Sequence, residues 1–332
     1  MTTQAQNPLD RPVHEPPSLE QPRPALPPLD LATVPWLAVG IFALLACGLA
    51  WLVQVPTWLT GGMASPWFLP MTIVMMATPA IAALIVTFFV LRPSHRARFL
   101  GLTPFRPVWR SILVILLAPA AWLVLAMAAL LLAQALGWVE LDWAMHGAAA
   151  TFPAGLDASA VLLITLLGLP INTLISAVPA FGEELGWRGF LQSALSPLGF
   201  WRMALLSGVL WGVWHAPVIL LGYNFARPDL LGVLCMVAFC LVAGVLLSWL
   251  RAVCHNVWVA AVAHGAINTV TGVTLVFLPA GSDVLWTTVL GVPGWIVLGL
   301  VIAAMAAFGL CSARRLGALI PAPQVRQTAQ AS

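Results

Sequence analysis

Charge is what this 332-residue chain has least of: charged residues make up 8% of it, lysine is absent altogether, and hydrophobic residues make up 61%. Soluble domains carry roughly a quarter charged residues, so a water-soluble fold is excluded, and a mean hydropathy of +0.98 agrees. Other absences remove whole classes of chemistry. The five cysteines, Cys47, Cys235, Cys240, Cys254 and Cys311, form no CxxC pair, and read as small buried hydrophobes rather than metal ligands or disulfides. There is no HExxH, no Gly-rich phosphate loop, no basic aromatic face and no repeat of 20–50 residues. Nucleotide and nucleic-acid binding are set aside on these grounds.

What is present is apolar sequence in long runs. A transmembrane helix needs about 20 mostly apolar residues to cross a hydrocarbon core of about 30 Å. Eight runs meet that length, at approximately 34–53, 68–91, 111–136, 158–182, 203–221, 230–250, 257–279 and 285–310. In lipid every backbone amide must be satisfied within its own segment, and these runs are too long and too evenly apolar for barrel strands. The expected fold is an all-α, polytopic membrane protein of about eight helices with a polar intramembrane cavity.

The positive residues are all arginine, and they are unevenly placed. With the N-terminus inside, the inner side receives Arg11, Arg23, Arg92, Arg96, Arg98, Arg106, Arg110, Arg188, Arg202, Arg251, Arg314, Arg315 and Arg326, and the outer side only Arg227. Short Arg-bearing loops resist translocation, so both termini are expected in the cytoplasm. The lack of Lys beside abundant Ala, Leu and Arg hints at a bacterial source, hence the bacterial cytoplasmic membrane. Residues 1–30 hold eight prolines among scattered charges and read as a disordered cytoplasmic tail rather than a signal peptide. Residues 31–157 supply the first helices, 158–275 a polar core unit, and 276–332 the last helix and a C-terminal tail.

Nine of the eleven acids have homes in the tail or loops; Glu183 and Glu184, in "FGEELGWRGF", adjoin a span without a loop around them. Ionisable groups at membrane depth are costly and usually face a protein interior or a wet cavity, which makes them functional candidates. Two histidines lie inside spans: His215 in "LWGVWHAPVIL", and His264 four residues before Asn268. Residues i and i+4 share a helical face, so His264 and Asn268 should point together, as should Glu184 and Arg188, while Glu183 looks elsewhere. Adjacent carboxylates titrate as a coupled pair, and one of them is a candidate base. Pro179 and Pro217, beside both polar stretches, suggest kinks around an internal chamber. Counted at about 1.5 Å per residue from the cytoplasmic ends, Glu183 would lie about 6–8 Å deep, His264 about 11–12 Å and His215 about 18 Å. That spread calls for tilts, kinks or a shifted boundary, and its mean places the site in the cytoplasmic half.

The ordered motifs "EELGWR", "WGVWHAP" and "NVWVAAVAHGAIN", on three successive polar spans over roughly residues 158–275, resemble those of the CAAX-protease and bacteriocin-processing (Abi) family of intramembrane glutamic endopeptidases. One departure is Trp211, where the family usually carries Phe, an aromatic exchange expected to matter little. The resemblance implies a peptidase in which Glu183 with His215 activates a water, His264 and Asn268 stabilise the oxyanion, and Glu184 and Arg188 order the site. It implies no cofactor, a peptide or protein substrate that includes lipidated or membrane-embedded ones, and contact with membrane lipid. The chemistry agrees: without a Ser or Cys nucleophile, hydrolysis needs a base to deprotonate water and donors aimed at the developing oxyanion.

Four other readings use the same residues. The polar side chains could glue helices together. Glu183, Glu184, His215 and His264 could ligate zinc. The cavity could grip a lipidated or bacteriocin-like peptide without cutting it, as an immunity protein or scaffold would. A proton-coupled transporter fits least, since no inverted repeat is visible.

Overall fold

The computed structural model describes residues 31–105, 107–146 and 157–316; the proline-rich segment 1–30 and the tail beyond 316 lie outside the described residues. Among those described, the chain is helical throughout, with no strand. Seven helices are long and apolar enough to cross a membrane: α1 Trp36–Leu59, α2 Phe68–Leu91, α3 Val108–Ala135, α4 Ser159–Leu198, α6 Leu230–Cys254, α7 Trp258–Phe277 and α8 Val284–Ala307. The eighth expected span, 203–221, is instead broken: α5, Phe200–Trp214, stops at His215, and a short turn, Ala216–Ile219, follows with Pro217 near its start. Pro217 has no amide hydrogen to return to the preceding turn, and its ring disfavours helical backbone at the residue before it.

The fourth span differs in the other direction. It was expected to end near residue 182 but runs on to Leu198 as one helix through Pro170 and Pro179, with a wide π-helical stretch, Leu185–Leu191, immediately after Glu184. Such wide turns are frequent at functional sites. Its residues from Glu183 to Leu195 are all buried, because they pass through the bundle rather than along its edge. On the lipid-facing side of the same helix, Leu167, Ile171, Leu174 and Val178 recur at helical spacing and are exposed, as a bilayer requires.

Helix ends meet in two sets. At one end, Ser193 of α4 bonds the Phe99 carbonyl, the Val257 amide bonds the Gly101 carbonyl and Trp249 bonds the Leu310 carbonyl. Arg92, Arg96, Arg98, Arg202, Arg251, Arg314 and Arg315 belong to the segments gathered here. At the other, Asp142 N–H reaches the Phe277 carbonyl and Arg227 pairs with Asp283 at 2.6 Å; here lie Glu140, Asp142, Asp157, Asp229 and Asp283.

The packing that positions the polar residues depends on close approach. Helix α7 lies along α4, and α6 along α5. A Cβ on Gly265 would sit 2.6 Å from the Ala177 amide and the Thr173 carbonyl, and one on Gly212 would sit 2.5 Å from Val237 Cα. Small residues of this kind let helix backbones touch where lipid offers no hydrophobic drive between helices. Beneath the polar layer, Phe42, Phe99, Trp187 and Phe190 stack into a buried aromatic plug.

Candidate active site

Position along the helices brings the first two motifs to one level. Glu183 and His215 each lie roughly 22 Å along their helices from the arginine-bearing end, at about 1.5 Å per residue, counting from Leu198 and Phe200 respectively. The apparent mismatch in depth between them came from a helix end placed too early. His264 joins them from α7, one residue before the Gly265 contact with α4.

Two layers result. In the inner layer, Glu184 Oε1 accepts from Arg188 Nη1 at 2.8 Å and lies 2.9 Å from His264 Nδ1. Arg188 and Glu184 are fully buried and His264 nearly so. The i,i+4 pairing expected of Glu184 and Arg188 thus holds across the start of the wide turn. The Arg188 guanidinium also covers the Trp211 ring at 4.4 Å, and a Cβ on Gly244 would come within 3.2 Å of its Nη2.

In the outer layer, Glu183 turns away from Glu184, as expected, and its Oε2 accepts from Trp211 Nε1 at 2.7 Å. His215 Nδ1 lies 2.8 Å from the Trp211 carbonyl. A carbonyl only accepts, so Nδ1 carries the proton and Nε2 of the neutral ring keeps its lone pair. Trp211 therefore touches four of the six candidates: an N–H on Glu183, a carbonyl on His215, a ring face under Arg188 and a ring packed 5.2 Å from His264. Phenylalanine, the family's usual residue here, would have no N–H to give Glu183.

Glu183, His215, His264 and Asn268 line one cavity of about 240 Å³, with Trp211 and Tyr223 also in its wall. Glu184 and Arg188 stand behind that wall. The sequence offered no signal for Tyr223 and Asn224, which reach the cavity from the loop after α5, or for Thr72 of α2; each comes from a stretch without polar patterning. The loop after α5 lies at the end of the bundle opposite the arginines, and the aromatic plug and the buried stretch 184–195 close the arginine-bearing side. The cavity therefore extends from the polar layer toward the arginine-poor end.

Four-donor zinc ligation is not what this geometry offers: Glu184 is committed to Arg188 and His264, and no three His, Cys, Asp or Glu side chains converge as metal ligands among the described residues.

Residues 163–270, about a third of the chain, match the family described as type II CAAX prenyl endopeptidase, Rce1-like. The match spans all three motifs and supports a membrane protease of this type. No curated protein matches the chain.

Proposed function

We propose, from the match to the type II CAAX prenyl endopeptidases over 163–270, that this protein is an intramembrane endopeptidase whose chemistry occurs in the cavity between Glu183, His215, His264 and Asn268. The observation that carries the reading is that a buried carboxylate with one free oxygen and a histidine with a free Nε2 line one cavity. Trp211 holds Glu183 Oε2, leaving Oε1 to take a proton from a water that His215 Nε2 orients. The hydroxide attacks the scissile carbonyl, and the same Glu183 returns its proton to the departing amine.

Charge develops on the carbonyl oxygen, and Asn268 and His264 are the donors available to it. Glu184 can only accept from His264 Nδ1 while it is ionised, so His264 donates from Nε2 only when both of its nitrogens carry hydrogen. The Arg188, Glu184 and His264 chain supplies that state: one negative carboxylate lies between two positive groups, and ionised Glu183 brings the cluster to neutrality. A donor lost from an oxyanion site costs roughly 3–4 kcal/mol.

Trp211 is then a positioning residue. Trp211→Phe keeps the ring under Arg188 but removes the N–H on Glu183, and hydrogen bonds to charged groups are worth about 1.5–3 kcal/mol. Turnover should fall by about tenfold to a hundredfold with KM little changed. An unchanged kcat would show that this bond does not orient the base.

The direction of access follows from the arginine asymmetry. With the arginine-bearing end cytoplasmic, the cavity faces the outer side of the membrane, and the substrate is a segment presented there or entering laterally from lipid. In cells carrying Asn224→Cys, an impermeant maleimide should label the cysteine without permeabilisation. Labelling only after permeabilisation would reverse this orientation.

The experiment that tests the function compares protein termini by mass spectrometry between cells with wild type and with Glu183→Gln at matched expression. A terminus made only by the wild type, reproduced with purified components, establishes cleavage. If no terminus differs while a cellular phenotype is lost, the non-catalytic binding reading takes its place.

A further inference from the structure

At the arginine-bearing end, remote from the cavity, Arg251 in the last turn of α6 is only 8% exposed. Its guanidinium lies flat against the backbone at Gly101, which has φ +68°; a Cβ there would sit 2.4 Å from Nε and 2.5 Å from Nη2. The cradle is thus shaped for a guanidinium, yet Arg251 Nε is buried without a hydrogen-bond partner. A position near a helix C-terminus favours a cation, but no hydrogen bond from this side chain to the last carbonyls is formed. A largely buried cation with an unpaired Nε and no counter-charge among the described residues is costly.

The neighbourhood adds charge of the same sign. Burial first, and then the positive charges of Arg251, Arg110 and Arg98 nearby, hold the pKa of His255 down at about 4. No carboxylate pairs with Arg98, Arg110 or Arg251 among the described residues. His255 itself has φ +58° at the turn between α6 and α7, which puts it beside Arg251 rather than along the helix. Arg98 also lines an open cavity of about 410 Å³ with His95, Arg96 and Thr103.

Apolar surface adjoins this cluster. Arg110 lies over the exposed ring of Trp109, and Arg96 over the exposed ring of Phe88. Exposed Phe105 and Trp258 stack on each other, and the Trp258 indole N–H reaches the Leu102 carbonyl at 3.3 Å. A ligand suited to this site carries an anion joined to hydrocarbon, since free phosphate would leave the aromatic rim unused. Basic pockets between helices near the cytoplasmic surface bind anionic headgroups for this reason.

We propose that Arg98, Arg110, Arg251 and His255 form a binding site for the phosphate headgroup of an anionic phospholipid, with its acyl chains lying along Trp109, Phe105 and Trp258. The site is independent of peptide cleavage and can be tested without a substrate. The full chain, purified in neutral detergent, is titrated with dioleoylphosphatidylglycerol or dioleoylphosphatidylcholine, and binding is followed by native mass spectrometry and thermal stability. Phosphatidylglycerol should bind at least tenfold more tightly than phosphatidylcholine and raise the melting temperature. Arg98→Gln with Arg110→Gln, both only half-buried and so tolerant of exchange, should abolish that preference. Arg251→Gln should do the same where it folds.

Equal binding of the two lipids would overturn the proposal, as would a preference that survives the double substitution. Inorganic phosphate that reproduces the whole stabilisation would overturn the lipid assignment in favour of a free anion. A fall in the melting temperature of the lipid-free protein when Asp30 and the other tail acids are neutralised, with lipid then restoring no more than that loss, would point to the chain's own carboxylates as the occupant and would likewise overturn it.

Discussion

Glu183→Gln is expected to lower turnover by about a thousandfold or more, as removal of a general base does, while the protein still folds. The structural reason is local. Glu183 makes one hydrogen bond to the described residues, from Trp211 Nε1, and the glutamine carbonyl can still accept it, though more weakly than a carboxylate. Size-exclusion profile and melting temperature in detergent should match wild type, and His215→Ala should lose activity similarly. Retained cleavage by Glu183→Gln would remove Glu183 as the base. Loss of activity together with loss of fold would show instead that Glu183 is a structural partner of Trp211.

Arg188→Ala should have the opposite profile, damaging the fold before the chemistry is tested. Its side chain is fully buried, bonded to Glu184 and stacked on Trp211. Breaking a buried ion pair from one side costs about 3–5 kcal/mol, a drop in melting temperature on the order of 10 °C for a chain of this size. The double substitution Glu184→Leu with Arg188→Met removes both charges and should recover part of that stability, because apolar replacements often match a buried pair. It should not recover activity, since His264 then loses the carboxylate that fixes its Nδ1 proton. If Arg188→Ala is as stable as wild type, the Glu184 pairing contributes no more than a surface ion pair would.

These contrasting outcomes separate the two glutamates, which the sequence could only describe as adjacent and on different faces. That much was legible because helical periodicity is local: Glu184 meets Arg188 one turn on even where the helix widens. The partner of Glu183 was not legible. Trp211 is 28 residues away on another helix, and nothing in a run of apolar residues announces that an indole N–H will point at a carboxylate.

The sequence by itself determined that this is an all-helical membrane protein of about eight apolar segments, which six polar residues are the candidates for chemistry, and which end of the bundle holds the arginines. Each of these follows from composition, from a 3.6-residue period or from short motifs, all of which are properties of neighbouring residues. Tertiary structure decided that the fourth span continues to Leu198, that Trp211 joins both layers of the site, that the cavity extends toward the arginine-poor end, and that Arg251 pairs with no carboxylate among the described residues. The meeting of Trp211 with both layers rests on close approach at Gly212 and Gly265, and the burial of Arg251 on close approach at Gly101, where backbones and side chains distant in the chain come together, and no local pattern encodes that distance.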